Sequence, residues 1–326
     1  MSLQTEISYS VAIRTLGTAG DKYEKLMNSV AALVPKPKEV VVVLPEGYEE
    51  PEYQIGCELF VRSQKGMIVQ RLEALKYITA ENILFCDDDV EFECDFVQKL
   101  YEPIRNGYSC SAGPLLEFFP PAGIKYLIAS LMGGACVMLH SRDKMYTRIL
   151  NTGGWSYNRN VKTDEHHILV AESLAWTCFF IKTKVMKLIQ FENETWIERN
   201  GYAAFDDRVF FYKLCINGYK SCIISDAVYI HNDAMTSTKS LKREPIYARA
   251  FNHYVFWHRF LYNTEKHLVL KLWKRICIEY YILMVKLAGK IKRVPKTTYN
   301  ATIKGFKEAK EFVKSEDYAC LEDVWL

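Results

Sequence analysis

The chain has 326 residues, 49% hydrophobic and 25% charged, enough to bury the core of one large domain or two modest ones. A net charge of +3 is too small to argue for a nucleic-acid binder, so any basic effect must be local. Ten cysteines without CxxC pairs speak against a disulfide framework or zinc site and fit a reduced cytoplasmic chain. "MSLQTEISYS" holds no apolar signal core, and no uninterrupted apolar run reaches the ~18 residues of a spanning helix. "SYSVAI" (8–13) reads as the first strand. In 22–34, Leu26, Val30, Leu33 and Val34 share a helical face, and Pro35 and Pro37 stop it. "EVVVVL" (39–44) is a β-branched run of the kind buried on both faces of a sheet. "ELFVRS" (58–63) is a further strand, 67–78 has helical spacing through Ile68, Leu72 and Leu75, and "NILFC" (82–86) is the next strand. Strands alternating with helices predict a mostly parallel sheet, whose ligands bind beyond the carboxyl ends of the strands.

The middle is less regular. "GGACVMLHS" (133–141) and "AWTCFFIKTK" (175–184) read as strands, with a polar Gly/Asn-rich loop at 151–167 between them. "DDRVFFYKLCING" (206–218) reads as a helix with Asp206 and Asp207 in its first turn and Gly218 as its stop, and a strand follows within 220–233. From about residue 240 the pattern is helical and basic.

The stretch "NILFCDDDVEF" (82–92) ends a strand in three aspartates. A lone Asp there is commonly a turn or helix cap. Three adjacent carboxylates raise each other's pKa unless a cation relieves them, and a hard divalent ion with oxygen ligands does so. Two metal-phosphate chemistries start this way. Aspartyl phosphoryl transfer of the haloacid-dehalogenase kind wants Thr or Val where Glu91 stands, and wants the motif nearer the N-terminus. The other is glycosyl transfer from a nucleotide-diphosphate sugar.

Downstream, "YAAFDDRVFFYKLCINGYKSCIISDAVYIHND" (202–233) pairs a second acidic doublet with a helix, a Gly-Tyr turn, a strand and a histidine. This order resembles the family 2 glycosyltransferases of the GT-A fold over roughly residues 8–235. Asp206 stands where that family has Glu, Asp207 where it has the catalytic Asp, Gly218 and Tyr219 at the turn, and His231 at the histidine. Thr15 in "VAIRTLG", Gly66 and Arg71 in "RSQKGMIVQRLEAL", and "ILFCDDDV" match further motifs. At the base-binding Asp-Asp-Gly-Ser the chain has "PEGY" (45–48), which keeps only Glu46 and Gly47. The resemblance implies a GT-A-like α/β fold and an inverting transfer assisted by Mn²⁺ or Mg²⁺. It implies Asp207 as general base beside Asp206, and Asp87, Asp89 and His231 toward the metal. Thr15, Glu46, Gly66, Arg71, Asp87 and Asp88 would bind the nucleotide sugar. A helix start at 206–209 would lower the pKa of Asp207, and nearby acids would oppose it. Trp176, flanked by apolar residues, reads as core rather than as a sugar platform.

These readings divide the chain into a catalytic domain, 1–238, and a basic amphipathic extension, 239–326. Within 249–294, aromatics and aliphatics alternate with Lys271, Lys274, Arg275, Lys286, Lys290, Lys292 and Arg293. Peripheral contact with an anionic membrane and a solvated basic helical hairpin both fit that pattern. The expected acceptor is a hydroxyl of a glycan, a polysaccharide or a lipid-linked sugar. The rival functions are a metal-dependent nucleotidyl- or phosphotransferase and a non-catalytic nucleotide-sugar-binding module.

Overall fold

The computed structural model describes residues 7–118, 123–124, 127–128, 131, 145–158, 160–232, 243–291 and 294–326. The strand read at 133–141 lies outside them. The first half builds a parallel sheet. β1 (Tyr9–Arg14), β2 (Val40–Pro45), β3 (Glu58–Ser63) and β4 (Asn82–Asp87) lie in the order β3-β2-β1-β4, all parallel. Every residue of β2 is buried, as a β-branched strand inside a covered sheet requires. Crossover connections carry α1 (Asp21–Ala32) and α2 (Met67–Ala74) onto opposite faces. In β1 the alternation shows this directly: Val11 and Ile13 pack with α1, and Ala12 packs on the face of α2.

The sheet then becomes mixed. β5 (Val90–Phe92), α3 (Phe96–Arg105) and β6 (Cys110–Ala112) are followed by β7 (Met145–Ile149), β8 (Trp155–Tyr157), β9 (Ile168–Ala171) and β10 (Cys178–Lys182). β10 inserts antiparallel between β4 and β6, and the order continues β6-β11-β9-β7-β8, with β11 at Ser221–Ile224. The segment 151–167, read as a loop, thus contributes the edge strand β8, whose Trp155 packs against the core. α2 is also shorter than its apolar spacing predicted, ending at Ala74. α4 (Thr183–Leu188) and α5 (Asp206–Ile216) precede β11, and Gly218, at φ 81°, ends the turn after α5. β12 (Tyr229–His231) pairs antiparallel with β5 in a small second sheet.

The C-terminal helices share the core of the sheet. α6 (Arg243–Phe256) runs into a π-helical turn (Trp257–Tyr262), and Phe251, Val255, Phe256, Trp257 and Phe260 are buried in the cluster that covers the α2 face. α7 (Leu268–Ile291), α8 (Lys296–Phe312) and the short α9 (Glu316–Ala319) follow. Gly305 of α8 lets the backbones approach, since a Cβ there would meet the Tyr247 carbonyl oxygen at 2.6 Å. A buried ionic knot fastens this layer. The Glu194 carboxylate accepts from Arg259 Nε at 2.9 Å and Nη2 at 3.1 Å, from Lys213 Nζ at 3.0 Å and from Trp196 Nε1 at 2.7 Å. Burial opposes its ionisation, and Arg259 and Lys213 hold its pKa below the usual range.

Candidate active site

Parallel pairing of β1 with β4 sets Arg14 opposite Asp87 at the carboxyl end of the sheet. Arg14 Nη2 donates to Asp87 Oδ1 at 3.0 Å, and Arg71 Nη2 donates to the same oxygen at 3.0 Å. Arg71 comes from α2, lies 4.6 Å from the Trp176 ring centre, and turns its Nη1 to Asp206 Oδ2 at 3.1 Å. One buried guanidinium therefore joins Asp87 to Asp206, which lies 135 residues beyond Arg71 in the sequence. Burial pushes against ionisation of Asp87, but Arg14 and Arg71 hold its pKa below the ordinary value.

The next two aspartates have different neighbours. Thr15 Oγ1 donates to Asp88 Oδ2 at 2.6 Å and itself accepts the Gly17 N–H at 2.9 Å. Burial outweighs that bond and pushes the Asp88 carboxyl up to about 6. Asp89 Oδ2 lies 3.2 Å from His231 Nε2, and its Oδ1 is buried with no hydrogen-bond partner among the described residues. The β5–β12 pairing sets His231 opposite Val90, next to Asp89. Burial lowers the His231 pKa, but contact with Asp89 more than compensates and raises it overall.

Phe205, in the left-handed region at φ 66°, turns the chain into α5. Asp206 and Asp207 then stand in the first turn, and Asp207 Oδ1 accepts the Arg208 N–H at 2.6 Å. Burial, followed by the charge of Asp206, raises the Asp207 carboxyl to about 7. The expected lowering by the helix end loses to these two effects. The Arg208 side chain does not neutralise its neighbour directly. Its guanidinium lies over Trp155 at 3.7 Å and Phe205 at 3.9 Å and donates to the Gly153 carbonyl oxygen.

Two cavities meet at these residues. The larger, about 940 Å³, includes Arg14, Thr15, Lys22, Lys65, Gly66, Asp88 and Asp89 in its wall. That volume is of the order of a nucleotide-sized ligand site. The smaller, about 460 Å³, includes Asp87, Trp155, Trp176, Asp206, Asp207 and His231, and shares Arg14, Asp88 and Asp89 with the first. Of the residues that the resemblance assigns to catalysis, the nucleotide sugar or the metal, only Glu46 lies in neither wall; it is exposed just beyond β2. Trp176 is core, packed on Phe179, Phe191 and Phe210, with one edge reaching the smaller cavity.

No group of three or more His, Cys, Asp or Glu residues among the described residues is arranged to hold a metal ion. Asp89 and His231 offer two donors, one of them the unpartnered buried Oδ1, while Asp87 is turned to its arginines. A cation seated there needs further oxygens, which a diphosphate in the adjoining cavity can supply. The donor set fits a metal carried jointly by protein and ligand. Sequence reasoning missed Arg14 and Arg208. The strand register was the available signal for Arg14; its position in the first turn of α5 was the only one for Arg208.

A covered α/β sheet with carboxylates beyond its parallel strands and helices at its C-terminal end is a GT-A type of fold. Residues 24–155, which hold the triple aspartate, match the family model described as "Glycosyl transferase family 2". Similar solved structures include GalNAc-T7 with UDP, GalNAc and Mn²⁺, at 11% identity and a TM-score of 0.49, covering 87% of this chain and 57% of that one. The mannosyltransferase PcManGT from Pyrobaculum calidifontis, in complex with GDP-Man and Mn²⁺, is 12% identical with a TM-score of 0.45, covering 95% and 87%. The chain thus spans little more than half the length of the first. No curated protein matches it.

Proposed function

We propose that the chain transfers a sugar from a nucleotide-diphosphate-sugar donor to a hydroxyl of a glycan, a polysaccharide or a lipid-linked sugar, by an inverting, divalent-metal-dependent displacement. The observation that carries this reading is the junction of two cavities at Asp88 and Asp89, with Asp207 in the wall of the smaller one only. In this reading the donor occupies the larger cavity, where Arg14, Lys22 and Lys65 meet its phosphates. Thr15, Gly66, Arg71, Asp87 and Asp88 shape the donor site, and Glu46 is assigned to the nucleotide from the resemblance alone. Mn²⁺ or Mg²⁺ would be held by Asp89 and His231, with Asp87 as an outer partner. When bound, such a cation neutralises the departing diphosphate.

The acceptor enters the smaller cavity. Asp207 takes the proton of its hydroxyl as that oxygen attacks the anomeric carbon. The bond from that carbon to the diphosphate oxygen breaks, the electron pair leaves with the phosphate, and configuration inverts. A carboxyl at about 7 is half ionised at neutral pH, where a general base is most effective. Asp206, held by Arg71, orients the acceptor. The proposed catalytic unit is 1–238, with 239–326 as its helical extension. The setting we assign is cytoplasmic, peripheral at the inner face of the membrane through 249–294, from the unpaired spacing of the cysteines and the basic, amphipathic sequence of that segment.

Calorimetric titration with UDP-, GDP- and dTDP-sugars, with Mn²⁺ or EDTA, tests the donor site. One of them should bind in a metal-dependent way, and Asp89→Ala should lose that dependence while staying folded. Equal binding by parent and variant in Mn²⁺ and in EDTA overturns the assignment.

A further inference from the structure

α7 has a face that stays exposed in the structure. Its inward side buries Cys277, Ile278 and Ile282. On its outer side Val269, Leu272, Ile276, Leu283, Leu287 and Ile291 are each between 42% and 79% exposed. Steps of three, four and seven residues put these side chains on one helical face. Tyr280 lies on the same stripe, and its hydroxyl donates to the Leu131 carbonyl oxygen at 2.8 Å. That bond places Leu131 beside the helix, and Ile124, Leu127 and Ile128, a few residues before it in sequence, are exposed as well. Single exposed leucines need no explanation, but an apolar stripe along the length of a helix does.

The polar border of the stripe is cationic. Arg275, Lys286 and Lys290 are exposed along one edge. The acid on that edge, Glu279, is neutralised by Lys310 Nζ at 2.6 Å. Lys274 is occupied by Glu265 and Lys271 lies over the Tyr262 ring, so neither adds to the border. Upstream, the aromatic segment 249–262 is largely buried in the core and offers little to a surface. No described helix is long and apolar enough to cross a membrane, so the stripe can only lie along one.

We propose that α7, together with the exposed Ile124, Leu127 and Ile128, docks this face on an anionic lipid surface. Apolar side chains reach the acyl boundary while Arg275, Lys286 and Lys290 meet the headgroups. A second copy is the weaker occupant. Face-to-face packing through α7 brings two cationic borders together and covers one helix, whereas a flat surface covers both segments. The inference rests on the patch alone and stands or falls apart from the transferase reading.

The test is flotation of the full chain at low ionic strength with phosphatidylcholine vesicles, with and without phosphatidylglycerol. The parent should float only with the anionic vesicles and be released by salt. The triple variant Leu272→Glu, Ile276→Glu, Leu283→Glu should bind about tenfold less or worse. Arg275→Glu, Lys286→Glu, Lys290→Glu alters only exposed side chains and should also lose anionic binding. It keeps the test decisive if the first variant fails to fold, as circular dichroism would reveal. Absence of flotation by the parent, or retention by a folded variant of either kind, overturns the proposal. So does a parent dimer in sedimentation that the apolar triple variant dissociates without any vesicle binding, which would assign the face to a second copy.

Discussion

Asp87 and Asp207 are both partly buried and line one cavity, yet their carboxyls lie on opposite sides of the ordinary aspartate range. Asp87 receives two guanidinium donors on one oxygen. Asp207 receives one backbone N–H and a second carboxylate as its neighbour in sequence. Burial acts on both in the same direction, so the partners decide the outcome. A cation-bound aspartate is a fixed charge, whereas one left with an acidic neighbour can exchange a proton near neutral pH. Arg71 separates these roles physically, because it spends one nitrogen on Asp87 and the other on Asp206, and Asp207 receives neither.

The largest expected effect comes from removing the proton-accepting group alone. Asp207→Asn should retain donor and metal binding while turnover falls by ~10²–10⁴-fold. Near-normal turnover in that variant, with Asp206→Asn inactive, would exchange the two roles. Next is the bridge itself. Arg71→Met leaves Asp206 buried without its cation and should cost about 3 kcal/mol of unfolding free energy in urea titrations. An unchanged midpoint would mean that Arg14 alone organises both clusters.

The comparison also has a pH signature. The Asp207 carboxyl is at about 7 in the fold, against an ordinary value of 3.8. Between those values the folded chain keeps a proton that the unfolded chain has released, so stability falls as pH rises through that window. Asp207→Asn removes this cost. It should melt higher than the parent at pH 8, by the equivalent of ~2 kcal/mol, and show little gain at pH 4. Equal gains at both pH values would place the effect in packing. The smallest effect concerns the neighbour. Asp206→Asn removes a like charge, so the acidic limb of kcat should move to lower pH, with the acceptor KM raised and the donor affinity kept. A limb that stays in place would leave burial as the sole cause of the shift.

The fold's first half was legible because its signals are local. The β-branched run of β2, the apolar spacing of α1 and the three aspartates after β4 each state their structure within a few residues. The start of α5 was legible for the same reason, as was its glycine stop. The antiparallel insertion of β10 between β4 and β6 was not, because pairing order is a long-range choice that strand periodicity leaves open. β8 was hidden by its polar, Gly/Asn-rich flanks, which read as a loop although Trp155 packs inward. At the site, the carboxylates and Arg71 were found, but Arg14 was not, and nothing local paired either arginine with Asp87. Arg14 ends a strand and Arg71 sits in an ordinary helix, and only the tertiary register aims them at Asp87.

Glu194 gives the chain a dependence that crosses its own compositional boundary. Lys213 belongs to the helix that carries Asp207, and Arg259 belongs to the π-helical turn after α6. Removing one member leaves a buried charge uncompensated, at a cost of ~3–5 kcal/mol, whereas exchanging all three for apolar residues of similar volume can be neutral. Selection should therefore treat positions 194, 213 and 259 as one character, kept whole or lost whole. A tail grafted from a distant relative onto residues 1–238 would have to bring a cation to position 259. Among homologues the three should covary even where the surrounding helices drift freely.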